Sequence, residues 1–155
     1  MATVIEGKTI FAGDVVFGGG MTAPADSIGD DNITRHRHRA VYAQESATAG
    51  ADESRVVHVV YGATGVIKAF KAGSVSVAVG DSVVTVDLKK NGASVLSDPV
   101  TLDNSATIRT VIAAALSTTA LVAGDVLEVV IDATVGTGTL PNGVFCYVEI
   151  LEDTD

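Results

Sequence analysis

The chain has no tryptophan and a single cysteine, Cys146, among 155 residues. One cysteine excludes an internal disulfide framework. Its place in an alternating apolar run reads as a buried, inert thiol. Aromatic residues make up only 5%, so stacking platforms for sugars or single-stranded nucleic acid are scarce. Cations are also short: Lys and Arg total 10 against 19 Asp and Glu, for a formal net charge of −9. That balance argues against nucleic acid and anionic membrane surfaces as partners. No stretch is long and apolar enough to span a bilayer. The N-terminus lacks the charged head and apolar core of a signal peptide, which places synthesis in a reducing cytoplasm.

What is present is apolar and turn-rich. Hydrophobic residues reach 47% and glycine numbers 16. The apolar share is mostly Val, Ala and Ile, the composition of a β-rich protein. The clearest local signal is Ser82 to Leu102, SVVTVDLKKNGASVLSDPVTL. Asn91-Gly92 separates two β-branched runs, and both positions tolerate positive φ, which predicts a type I′ hairpin. With that loop, Leu88 should lie opposite Val95 and Val86 opposite Ser97. Val84, Val86, Leu88 and Val95 should share one face.

Residues 1–54 sustain no period, being broken by Gly7, Gly13 and Gly18-Gly19-Gly20 and followed by MTAPADSIGDDN, RHRHR and SATAGADES. They read as an extended N-terminal arm with two or three short strands, which needs a neighbour to offset its ordering entropy. Residues 55–155 read as the β domain. Arg55 to Tyr61 and Val66 to Ala72 are expected strands, with Lys68 out of register, and Val75 to Val79 is a shorter one. Thr107 to Leu116 (TIRTVIAAAL) is ambiguous: alanines and a capping Ser105 favour helix, whereas the β-branched residues favour strand, the reading adopted. Val126 to Asp132 and Gly143 to Glu152 close the chain. In the latter, Val144, Cys146, Val148 and Ile150 form one face. Phe145, Tyr147 and Leu151 form another that is apolar too, and so calls for a cover such as a second subunit. About eight short strands predict an all-β fold, an antiparallel β-sandwich or jelly roll.

The residues carry little chemistry. His36 and His38 share a strand side, but two ligands are not a metal site, and the remaining histidine, His58, is distant in sequence. Arg35, Arg37 and Arg39 alternate on the other side and suit a carboxylate-rich partner; the plainer reading is a solvated basic patch. The glycine loops 62–65 and 136–139 lack the Lys-Ser/Thr of a phosphate cradle. Asp81, Asp87, Asp98, Asp103 and Asp125 sit at strand ends as turn formers. No serine has a nucleophile-elbow context. No catalytic residue, cofactor site or metal site is assigned.

Three phrases, VTVDLKKNGASVL, LVAGDVLEVVI and GTGTLPNGVFCYVEI, resemble small β-rich head decoration (cement) proteins of tailed bacteriophages, over about residues 55–153. The resemblance implies a structural, non-enzymatic protein of the virion. It would be a homotrimer seated on the outside of the capsid, with arms reaching over the major capsid protein. Under it, Arg35, Arg37 and Arg39 become partner-binding arm residues, and Phe145, Tyr147 and Leu151 become the oligomer interface. The competing expectation is a carbohydrate- or receptor-binding jelly-roll module of a phage head or tail fibre, weakened by the shortage of aromatics.

Overall fold

The structure, a computed structural model, describes residues 35–153. It is all-β, with no helix and ten strands among the described residues: β1 (Arg35–Ala43), β2 (Glu53–Val59), β3 (Thr64–Ser74), β4 (Val83–Lys90), β5 (Ala93–Ser94), β6 (Val100–Leu102), β7 (Ile112–Ala113), β8 (Ala120–Val122), β9 (Val126–Thr134) and β10 (Val144–Asp153). Two antiparallel five-stranded sheets form a sandwich. In sheet 1, β1, β10 and β3 lie side by side, with β7 and β8 both on the far edge of β3. In sheet 2 the order is β2, β9, β4, with β5 and β6 both on the far edge of β4.

The pairs are nested. β1 pairs with β10, β2 with β9, β3 with β8 and β7, and β4 with β6 and β5. The chain is thus one long antiparallel ribbon, doubled back at the β4–β5 turn and rolled so that β10 meets β3 and β9 meets β4. That is jelly-roll topology. The bend of the ribbon is Asn91-Gly92, with φ of 51° and 85°, the primed turn that the sequence predicts.

Alternation places the core. In β4 and β9 every second residue is buried, and Val84, Val86, Leu88, Leu127, Val129 and Ile131 point inward. From sheet 1 they meet Ile67, Phe70, Ala72, Val144, Cys146, Val148 and Ile150 in one apolar cluster. Burying each large side chain contributes about 1.5–3 kcal/mol, so the inter-sheet core dominates stability.

Several sequence expectations change. The β domain starts earlier than residue 55: β1 pairs residue for residue with β10, from Arg35↔Asp153 to Ala43↔Phe145, and β2 starts at Glu53. Residues 35–54 look coreless because β1 is an edge strand that takes its partner from the far end of the chain. The rest of the expected arm, 1–34, lies outside the described residues. Val86 pairs with Val100, not Ser97. The hairpin register holds only to Leu88, where Val95 N–H donates to the Leu88 carbonyl at 2.9 Å, and residues 96–99 then leave the ladder. Val75 to Val79 is no strand; Val79 makes a single bridge to Thr139. Thr107 to Leu116 is neither helix nor long strand. Only Ile112–Ala113 pairs, Leu116 bridges Leu96, and Arg109 turns the chain with φ of 55°. Ile108 and Val111 stay exposed there, so no buried face exists to hold a continuous strand. The irregularity at Lys68 is a β-bulge: Glu149 pairs with Ala69 and Ile150 with Ile67, leaving Lys68 as the extra residue.

Candidate interaction face

The outer face of sheet 1 is built from the odd-numbered residues of β1 and β10 with their neighbours on β3. β10 is continuous and strictly alternating. Its even-numbered residues are buried, and Phe145, Tyr147, Glu149 and Leu151 are half-buried on the outer side. β1 lies in register beside it, so Arg37 stands opposite Leu151, Arg39 opposite Glu149 and Val41 opposite Tyr147. On the other flank, Lys71 stands opposite Tyr147 and Gly73 opposite Phe145.

The polar groups of this face lock together. Arg37 Nη1 lies 3.2 Å from Glu149 Oε1, and Arg39 Nη2 lies 3.3 Å from Glu149 Oε2. One carboxylate thus holds both guanidiniums, whose side chains remain 66% and 59% exposed. The Arg39 guanidinium sits 5.3 Å from the Tyr147 ring centroid and Lys71 Nζ 6.0 Å from it on the other flank. A phenol between two cations is a cation–π arrangement that keeps the ring upright and the charges spaced. Phe145 lies beside Gly73, where an added Cβ would come within 2.5 Å of the Thr110 carbonyl and 2.9 Å of the ring; a side chain at that position has no room. Val41 is 68% exposed at the rim.

Arg37 and Arg39, expected on an arm, therefore stand on a sheet of the sandwich, in the same surface as the expected interface residues Phe145, Tyr147 and Leu151. Arg35 sits at the register position opposite Asp153. In sequence the two groups are a hundred residues apart, and only the β1–β10 pairing joins them. A matching two-residue period in RHRHRAVYA and VFCYVEILED was the available clue.

Sequence reasoning missed a second cluster, at the edge where β1 faces β2. The chain has three histidines, and all gather there: the His36 and His38 ring centroids are 6.2 Å apart, and those of His38 and His58 are 5.5 Å apart. His58 Nε2 pairs with the buried Glu152 carboxylate, which also accepts the Tyr61 and Gly62 backbone N–H groups at 3.1 and 3.0 Å. Burial works against ionisation of Glu152, but the Gly62 N–H, the His58 ring and the Tyr61 N–H outweigh it and hold its pKa below the ordinary value. Nearby, the Tyr42 hydroxyl donates to Glu53, which also accepts from Gln44 and Arg55. Burial and Glu53 push the Tyr42 hydroxyl up to about 12. Among the described residues, no group of three or more His, Cys, Asp or Glu side chains is arranged to hold a metal ion. The histidine edge ties the two sheets together through the His58–Glu152 and Tyr42–Glu53 hydrogen bonds and the ring contacts.

Asp103 and Asp125 act as turn formers, whereas Asp87, expected at a strand end, lies inside β4 and accepts the Ser94 hydroxyl from the neighbouring strand. Asp103 accepts from the Ser105 N–H and hydroxyl, and Asp81 from the Thr137 N–H and hydroxyl. No protein-family model and no curated protein matches the chain.

Proposed function

We propose that this chain is a structural, non-enzymatic protein of a virus particle, a decoration protein that binds the outside of a tailed-phage head as a homotrimer and stabilises the shell. The observation that carries the reading is the outer face of sheet 1, where Arg37, Arg39 and Lys71 stand beside Phe145, Tyr147, Leu151 and Val41 on one rigid surface. Aromatic and arginine side chains together are the mixture that protein–protein interfaces favour. The jelly-roll sandwich and the three sequence phrases shared in style with cement proteins supply the rest of the argument. In this reading the face serves assembly: the apolar strip buries against a neighbouring chain and the guanidiniums take its carboxylates. The partners are other copies and the major capsid protein, and no cofactor takes part.

The test is light scattering of the pure protein, followed by cosedimentation with empty heads assembled without it. The expected result is an oligomer that sediments with heads at saturating stoichiometry and raises their thermal stability. A protein that never sediments with heads overturns the shell-binding reading, whatever its oligomeric state.

A further inference from the structure

The two outer faces of the sandwich differ in charge. That of sheet 1 is apolar and basic, as described. That of sheet 2 is apolar and acidic. Its β2 rim carries Val56 and Val59, 59% and 53% exposed. Along β9, the residues that alternate with buried Leu127, Val129 and Ile131 are Val126, Glu128, Val130 and Asp132. On β4, Val83, Thr85, Asp87 and Lys89 occupy the same side. Glu128 accepts the Ser54 hydroxyl and Asp87 the Ser94 hydroxyl at 2.7 Å, so both carboxylates are held upright on this face. Lys89 stands in register with Glu128 and is the cation among these strand residues.

We infer that the outer face of sheet 1 binds the outer face of sheet 2 on a second copy of this chain, by a heterologous contact. Three features select that occupant. The charges are complementary: Arg37, Arg39 and Lys71 on one face, Glu128, Asp132 and Asp87 on the other. The apolar content is complementary too, with a ring-bearing strip facing a flat valine field. Size also suffices. A ten-residue strand such as β10 spans about 33 Å, and three or four strands span about 15–19 Å; the outline, roughly 500–600 Å², is that of a weak, reversible interface. An isologous contact of the sheet 1 faces would set the arginines and Lys71 against themselves, which costs affinity. A heterologous contact repeats, so it closes into a ring or grows into a filament, depending on the rotation between neighbours. This inference does not require that the shell be viral.

The experiment uses the full chain and two double variants at surface positions, Val41, Val56 and Asp132 being exposed and Lys71 half-buried. Val41→Glu with Lys71→Glu alters the first face; Val56→Lys with Asp132→Lys alters the second. Circular dichroism checks that each is folded, and mass photometry and light scattering read the assembly. The wild type should associate, with apparent affinity falling at least tenfold between about 0.05 and 0.5 M salt as exposed charges are screened. Each variant alone should be monomeric at concentrations where the wild type assembles. An equimolar mixture should associate again, because one variant keeps a native first face and the other a native second face. A monomeric wild type overturns the inference, as does assembly that survives either variant. A mixture that stays monomeric also overturns it, because the mixture still offers one native first face and one native second face; an isologous contact would instead show as assembly of one variant alone. Should either double variant unfold, the single changes Val41→Glu and Val56→Lys at the exposed rims carry the same test.

Discussion

Replacing Asn91 should destabilise the protein by two separable routes. The residue sits at φ 51° in the ribbon's only tight primed turn among the described strands. Its side chain also reaches across to the β8–β9 turn: Nδ2 donates to Asp125 Oδ1 at 2.7 Å, and Oδ1 accepts the Val126 N–H at 2.9 Å. Asp125 is buried and accepts the Val122 N–H at 3.0 Å as well. The Val122 N–H, then Asn91 and Lys90, hold its pKa low against burial. Asn91→Gly keeps the backbone conformation and removes the side-chain bonds, one of them to a charged acceptor, for a loss of about 2 kcal/mol. Asn91→Val removes the same bonds and forces a β-branched residue into the left-handed region, which adds roughly 1–2 kcal/mol. Against a typical domain stability of about 5–15 kcal/mol, urea denaturation resolves all three proteins, with midpoints in the order wild type, Gly, Val and unchanged slopes. Asp103→Ala, which removes bonds only within its own exposed turn, should shift the midpoint less than Asn91→Val. Equal midpoints for the Gly and Val variants would refute the backbone argument. A Gly variant as stable as wild type would refute the side-chain one.

Three further outcomes are expected. Because the pKa of Glu152 is depressed in the folded state, its contribution is present above the ordinary value of 4.5 and is lost as pH falls through the folded value; Glu152→Gln should melt below wild type at pH 7, and melting curves against pH should converge in acid. The Cys146 thiol is pushed up to about 12 by burial, so a thiol reagent at neutral pH should leave the native protein untouched and titrate one cysteine after denaturation. Deleting residues 1–40 should lower the melting temperature sharply, because it strips most of β1 from β10, whereas deleting residues 1–34 should leave a cooperative transition; equal melting temperatures would mean that β1 does not belong to the folding unit.

The fold was legible in sequence wherever structure was local. The Asn91-Gly92 turn, the alternation in β4, β9 and β10 and the glycine-marked turns all follow from neighbours in the chain. What stayed hidden was pairing between the ends of the ribbon. β1 carries little local evidence of being a strand: RHRHRAVYA opens with three arginines and two histidines, and its inward side holds histidines, Ala40 and Tyr42. It is a strand because β10 offers it a complete antiparallel edge, and nothing near residue 35 announces that edge. For the same reason Thr107 to Leu116 misled: its β-branched residues favour extension, but the local chain cannot show that no sheet will bury them.

The same non-locality governs the candidate face. Taken singly, the arginines read as a solvated patch, and Phe145, Tyr147 and Leu151 as a strand with one side too many apolar residues. The β1–β10 register makes them one surface, in which Glu149 tethers two guanidiniums and Tyr147 stands between Arg39 and Lys71. The tethering matters for binding, because a long cationic side chain already held by a neighbour loses less rotamer freedom when a partner arrives. The carboxylate that lowers the face's net charge therefore also makes its cations better prepared to meet a rigid acidic surface than free lysines would be. Glu149→Gln separates the two effects. It raises the positive charge of the face while releasing Arg37 and Arg39. If preorganisation outweighs charge, the variant should assemble more weakly than wild type; stronger assembly would mean that net charge alone sets the affinity.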